Sequence, residues 1–131
     1  MGNILVIEDD VAVSDVICDS LRSYGLDVQC VRTEEQAYAR ITSFPALDGL
    51  VLDVNLGRGA TGFDIARFAR QVLPDIAVIY VSGNATPTAF KAFGVPESEF
   101  VEKPFTPDEL VEAVTSLLVE DDNRGTAVPF V

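Results

Sequence analysis

Ile76-Ala77-Val78-Ile79-Tyr80-Val81 is continuously apolar and rich in β-branched side chains, and it runs into Ser82-Gly83-Asn84, where a loop begins. A strand of that composition offers no face to water, so it belongs inside a sheet that is covered on both sides. Parallel sheets meet that description, because their crossovers lay helices on both faces. The segments on either side support the same reading. Thr86-Pro87 combines an N-cap with a proline at the first helical position and opens a short helix that ends at Gly94. Ser98 to Glu102 is a weak last strand. Thr106-Pro107-Asp108-Glu109 then joins a capping box to a first-turn proline, and Leu110, Val111, Val114, Leu117 and Leu118 continue an apolar stripe.

Toward the N-terminus the alternation repeats. Asn3 to Ile7 is a short apolar run ending in Glu8-Asp9-Asp10, and Val13, Val16, Ile17, Leu21 and Tyr24 follow at helical spacing until Gly25. Asp27 to Val31 predicts a second strand. Thr33 and Gln36 form a capping box before a helix through Ala37, Tyr38, Ile41 and Phe44, which Pro45 closes. Gly49 to Val54 predicts a third strand, followed by a glycine-rich stretch, Asn55 to Gly62, and a helix carrying Phe63, Ala66, Ala69, Val72 and Leu73. Five strands alternating with five helices imply an α/β fold, a parallel sheet with helices on both faces. We expect residues 1–119 to form one domain and residues 120–131, which mix charge, glycine and proline, to be a fraying tail.

Composition narrows the function classes. The 131 residues include 21 acidic and 9 basic side chains, a net charge of −12, which repels nucleic acid and anionic membranes. No apolar run of membrane-spanning length and no secretory signal is present, so a soluble, cytoplasmic protein is expected. Cys18 and Cys30 each lie in an apolar segment without CxxC spacing and are expected as unpaired core thiols.

In an open parallel sheet the ligand site lies beyond the carboxyl ends of the strands. That rule gathers Glu8 and Asp9 from the first strand, Asp53 from the third, Ser82 from the fourth and Lys103 after the fifth. Taken singly, each has an ordinary structural explanation: first-turn charge, a turn aspartate, a loop hydroxyl, a solvated lysine. Their coincidence on one rim carries the functional reading. Three adjacent carboxylates require a compensating cation, and an all-oxygen set without histidine suits Mg²⁺ (or Mn²⁺). Asp53, closing a buried strand before a flexible loop, is best placed as a nucleophile toward phosphorus, and Ser82 and Lys103 as donors to phosphoryl oxygens. The glycines of 57–62 form neither GxGxxG nor a Walker loop.

These residues resemble the receiver domains of bacterial response regulators, over about Asn3 to Leu118. ILVIEDD is similar to that family's first strand and acidic pair, LVLDVNL to its phosphoacceptor strand, VIYVSGNA to its hydroxyl-bearing strand end and VEKPF to its lysine-proline signature. The resemblance implies a flavodoxin-like, doubly wound sheet of order 2-1-3-4-5. It implies Asp53 as phosphoacceptor, Asp9 and Asp53 as direct metal ligands, Glu8 as a ligand through water, Asn55 as a backbone-carbonyl ligand, and a cis Lys103-Pro104 bond. It also implies a switch in which Ser82 and an aromatic residue, here Phe100, move on phosphorylation and alter the face of the fourth helix, fifth strand and fifth helix. Phe100 lacks a phenol oxygen, Gly57 replaces a common proline, and residues 58–61 lengthen the loop by one residue relative to the usual pattern. Asn55 and Asn84 suggest a polar entrance.

The expected function is that of a single-domain response regulator, a signalling phosphoacceptor and not an enzyme on external substrates. A histidine kinase or a histidine phosphotransfer protein would be the donor, and a downstream protein the target, with no nucleic acid or membrane contact. A receiver cut from a larger protein fits the same residues. The alternative is a pseudo-receiver that binds partners without phosphorylation. An aspartyl-phosphate phosphatase would need an acid two residues after Asp53, where Asn55 stands.

Overall fold

The structure is a computed structural model that describes residues 2–43, 45–55, 61–83 and 87–127. Its elements alternate along the chain: β1 (Asn3–Ile7), α1 (Val11–Ser23), β2 (Asp27–Val31), α2 (Glu34–Ile41), β3 (Gly49–Asp53), α3 (Gly62–Val72), β4 (Ala77–Ser82), α4 (Pro87–Phe93), β5 (Ser98–Glu102) and α5 (Pro107–Ala127). All neighbouring strand pairs are parallel, and the order is β2-β1-β3-β4-β5, as expected.

Successive side chains of a strand point to opposite faces, and the central strands distribute their residues accordingly. Leu5, Ile7, Leu50, Leu52, Val78 and Tyr80 join Ala37, Ile41, Ile65, Ala66 and Ala69 from α2 and α3. Ile4, Val6, Val51, Ile79 and Val81 face the other way, onto Ile17 and Leu21 of α1 and Leu110, Val114 and Leu117 of α5. Every residue of β3 and β4 is buried, which is why those segments read as unbroken apolar runs.

The local signals act where expected. Thr33 and Gln36 exchange both bonds of a capping box at the start of α2, and Thr106 and Glu109 do the same for α5. Gly25 ends the first unit with φ +100°. α2 stops at Ile41, short of the expected Phe44, because the Thr42 and Ser43 hydroxyls bond back to Tyr38 and Ala39 carbonyls and close the last turn. Phe44, the N-cap Thr86, Asn84, Gly57 and the rest of 56–60, and residues 128–131 lie outside the described residues. α5 runs to Ala127, so residues 120–127 of the expected tail are helical.

The cysteines depart from expectation. Cys18 is buried on α1, but Cys30 is exposed and the two form a disulfide. The reason is topological: β2 is an edge strand, so its short β-prone run is only partly covered.

The turn after α4 is held by side chains from two other elements. Arg70 of α3 donates from Nε to Ile76 O at 2.8 Å, from Nη1 to Pro96 O at 2.7 Å and from Nη2 to Glu97 O at 3.1 Å. The fully buried Tyr80 hydroxyl accepts the Val95 N–H at 3.1 Å. Phe90 of α4 packs between Tyr80 and Phe100, with centroids 5.7 and 5.5 Å away. Replacing Tyr80 by Phe leaves the buried Val95 N–H without this acceptor, and such a loss costs about 1–3 kcal/mol. We expect Tyr80→Phe to lower the unfolding free energy by that amount, read as a lower urea midpoint at an unchanged slope; an unchanged midpoint would show that the bond contributes nothing.

Candidate functional site

The rim residues stand on backbone that remains part of the sheet. Just past β1, Glu8 N–H donates to Val31 O at 3.2 Å; past β3, Val54 N–H donates to Val81 O at 3.3 Å; past β5, Lys103 N–H donates to Ser82 O at 3.0 Å. The ladder therefore extends one residue beyond β1, β3 and β5. Such backbone fixes side chains better than a free loop does.

Glu8 is 1 % exposed, Asp53 7 % and Ser82 fully buried, while Asp9 is exposed at the mouth. Oxygen atoms of Glu8, Asp9 and Asp53 lie within 4.8 Å of one another. Lys103 reaches in from the β5 side, donating to Asp53 Oδ2 at 2.7 Å and to Glu8 Oε1 at 2.9 Å. The Asn55 N–H donates to Asp53 Oδ1 at 2.8 Å, so both oxygens of Asp53 are engaged. The Lys103-Pro104 bond is cis.

The electrostatics follow from crowding. Burial pushes the Glu8 carboxyl up to about 7, the Asp53 carboxylate adding to the rise while Lys103 opposes it. Burial pulls the Lys103 ammonium down, but its hydrogen bonds to Asp53 and Glu8 prevail and raise it, so it stays charged. Three carboxylates against one ammonium leave two negative charges in the pocket, which one divalent cation balances. The donors are all oxygen, which suits a hard ion.

Asp10, the Thr61–Asp64 pair and Gly62 were not singled out from sequence. Asp10 caps α1 through Val13 N–H, and its own N–H donates to Glu8 Oε2 at 3.3 Å, orienting that carboxylate. Thr61 and Asp64 form a capping box that starts α3, a spacing visible in the sequence but hidden in a stretch read only as glycine-rich loop. Gly62 lets α3 begin against the end of β3: a Cβ there would lie 2.3 Å from Asp53 O and 2.9 Å from Val54 Cα. Phe100 is half-buried against Phe90. A Cβ at Gly83 would make only an ordinary contact, with Lys103 Cβ at 3.6 Å.

Two expectations follow. Glu8 has a folded-state pKa above its ordinary 4.5, so its ionised form disfavours the metal-free fold, and stability is lost as pH rises through about 7. Glu8→Gln should stabilise the metal-free protein at pH 8 by about 1 kcal/mol or more, an advantage that fades as pH falls toward the ordinary carboxylate range; denaturation with a chelator at several pH values measures it, and an equal or lower stability at pH 8 would refute it. Gly62→Ala should destabilise by about 1–3 kcal/mol as the backbone moves aside, with amide shifts centred on Asp53 and Val54; a variant of unaltered stability would sink the close-approach argument.

The chain is similar to known proteins of one family. The family described as the response regulator receiver domain matches residues 4–115. Response regulator protein TodT of Pseudomonas putida is 30% identical over 129 residues, covering 98% of this chain and 56% of its own length. Regulatory protein VirG of Rhizobium rhizogenes is 32% identical, covering 92% of this chain and 49% of its own. The crystal structure of a response regulator receiver protein from Sinorhizobium medicae superposes with a TM-score of 0.87 at 32% identity, covering 92% of this chain and 96% of that one. The chain thus spans about half the length of the curated relatives it matches and nearly all of the solved receiver. No helix among the described residues is long and apolar enough to cross a membrane.

Proposed function

We propose, from the premise that this chain belongs to the response regulator receiver domain family of two-component signalling, that it accepts a phosphoryl group on Asp53 in a reaction dependent on Mg²⁺ or Mn²⁺. The observation that carries the reading is the state of Asp53. It is a nearly buried carboxylate with each oxygen held by a donor, Lys103 on one side and the Asn55 N–H on the other, beside two further acids. A structural ion pair would need one partner for Lys103; here the lysine bridges acids from two strand ends, and its charge still falls short.

Asp53 attacks the phosphorus of a phosphohistidine on a histidine kinase or phosphotransfer protein. The bond between phosphorus and the imidazole nitrogen breaks, its electron pair stays on that nitrogen, and an acyl phosphate forms on Asp53. Lys103 turns its ammonium from the carboxylate to a phosphoryl oxygen, and Ser82 places its hydroxyl on another. A divalent cation would be held by Asp9, Asp53 and Glu8, with the Asn55 carbonyl as a further oxygen donor. Bound there, the cation supplies the positive charge that lets an anionic phosphoryl group approach the acids. Ser82 and Phe100 then form the two halves of the switch. Phe100 acts through its packing on Phe90, so its motion reaches α4, and a downstream protein reads the face of α4, β5 and α5. The net charge of −12 argues against direct contact with nucleic acid or anionic membrane. The domain catalyses only its own phosphorylation and dephosphorylation, and works in the cytoplasm.

Incubation with acetyl phosphate and Mg²⁺, followed by intact mass, tests the reading. Wild type should gain one phosphoryl group, chelator should abolish the gain, and Asp53→Asn should show none. Lys103→Ala should accumulate the adduct at least about a hundredfold more slowly, since it removes a charge that contacts the transferring group. A wild-type protein that gains nothing and gives no amide response to Mg²⁺ would overturn the phosphoacceptor reading in favour of a pseudo-receiver.

A further inference from the structure

The two cysteines differ in exposure. Cys18, 1 % exposed, lies on the buried side of α1, and Cys30 is exposed on the edge strand β2, with their Cα atoms 6.9 Å apart. Each sulfur has a polar neighbour from α1. Ser14 Oγ lies 3.9 Å from Cys18 Sγ, and Arg22 Nη2 lies 3.9 Å from Cys30 Sγ while donating to Val28 O at 3.0 Å. The bond ties α1 to β2, and each of these elements connects directly to the segment that carries Glu8 and Asp9. β2 accepts the Glu8 N–H at Val31 O, the residue after Cys30, and α1 begins at the Asp10 cap, immediately after the acidic pair. Val6 and Cys30 are partners in the β1–β2 register.

We propose that Cys18 and Cys30 are a reversible redox pair that tunes the acidic pocket. The oxidised form holds α1 against β2 and keeps Glu8 and Asp9 in place for the cation; the reduced form lets α1 shift and weakens cation binding. The proposal rests on the receiver reading for its consequence, since a receiver works where thiol reductants act, and a disulfide in such surroundings is transient and serves catalysis or sensing.

The chemistry has a defined direction. The thiolate of a low-molecular-weight thiol attacks Cys30 Sγ, the accessible sulfur, to form a mixed disulfide. The bond between the cysteines breaks, and its electron pair leaves on Cys18 Sγ, which takes up a proton beside the Ser14 hydroxyl. A second thiolate attacks the small-molecule sulfur of the mixed disulfide, so Cys30 leaves as a thiolate and a small-molecule disulfide is released. Two thiols are oxidised for one protein disulfide reduced. In the reverse direction Cys30, the exposed sulfur beside the Arg22 guanidinium, is the nucleophile.

The full chain equilibrated with oxidised or reduced glutathione, alkylated and weighed, gives the thiol count, and amide NMR titration of the same samples with Mg²⁺ gives the affinity. The oxidised sample should take no alkyl group, the reduced sample two, and Mg²⁺ should bind the oxidised form about fivefold more tightly or better. Cys30→Ser, an exposed position, should bind like the reduced form in either buffer. Two alkyl groups after oxidised glutathione, equal affinities in both forms, or a Cys30→Ser protein that still responds to glutathione would each overturn the proposal. Acetyl phosphate added to the same samples separates the two readings: redox-dependent Mg²⁺ affinity with no phosphorylation in either form supports the redox pair and sinks the phosphoacceptor.

Discussion

Lys103 is the only cation that touches Glu8 or Asp53 among the described residues, and its position is not free. Its backbone N–H closes on Ser82 O as an extra rung of the ladder, so the ammonium is delivered to the pocket by the sheet itself. The same holds for Glu8, held to Val31, and for the end of β3, held to Val81. Because β1, β3 and β4 are buried on both faces, no functional group can be presented from their sides. Chemistry is confined to the carboxyl ends, and side chains remote in sequence converge there. The unbalanced charge of the pocket is therefore a consequence of the fold: acids that would repel one another in solution are held together by packing on both faces of the sheet.

That arrangement trades stability for function. A carboxyl pushed up to about 7 by burial destabilises the metal-free fold whenever it is ionised, and Lys103 only partly offsets the cost. A purely structural site would do better with neutral or apolar residues of similar volume. Buried acids beside an exposed one, with Asp9 at the mouth, fit the proposed role of the pocket in holding a cation beside a phosphoryl group.

What could be read from the sequence divides along physical lines. The central strands were legible because double-sided burial writes itself as uninterrupted apolar runs, and the helix starts of α2 and α5 because a capping box is a local signal. Glu8, Asp9, Asp53, Ser82 and Lys103 could be brought to one rim because alternating elements imply a parallel sheet, whose ligand site lies beyond the carboxyl ends; the strand order itself was implied by the family resemblance. Contacts decided by three-dimensional neighbours were not legible. Nothing local distinguishes Cys30 on an exposed edge strand from a cysteine in a buried one, so its pairing with Cys18 was missed. The role of Gly62 depends on how closely α3 approaches Asp53 O, and that of Asp10 on where its N–H points. Helix α5 continued to Ala127 through charge and a glycine that composition reads as a tail.

Phe100 shows how a departure from the family pattern can be read once the fold is known. A phenol at that place could signal by exchanging hydrogen bonds between inside and outside; a phenyl ring has only its packing. The ring lies against Phe90, which itself lies against Tyr80, and the Tyr80 hydroxyl holds the Val95 N–H in the turn that returns from α4 to β5. Arg70 fixes the same turn from α3, whose first residue abuts Asp53 O. α4 is therefore bound on one side to rings of β4 and β5 and on the other to a helix that starts at the candidate phosphoacceptor. In this chain the hydroxyl that matters to the position of α4 sits on Tyr80, inside the sheet, and not on the aromatic of β5. In the proposed switch, movement of the α4 face would require repacking of Phe90 between two rings, a change between discrete arrangements and not a continuous slide, because a close-packed core does not deform by degrees.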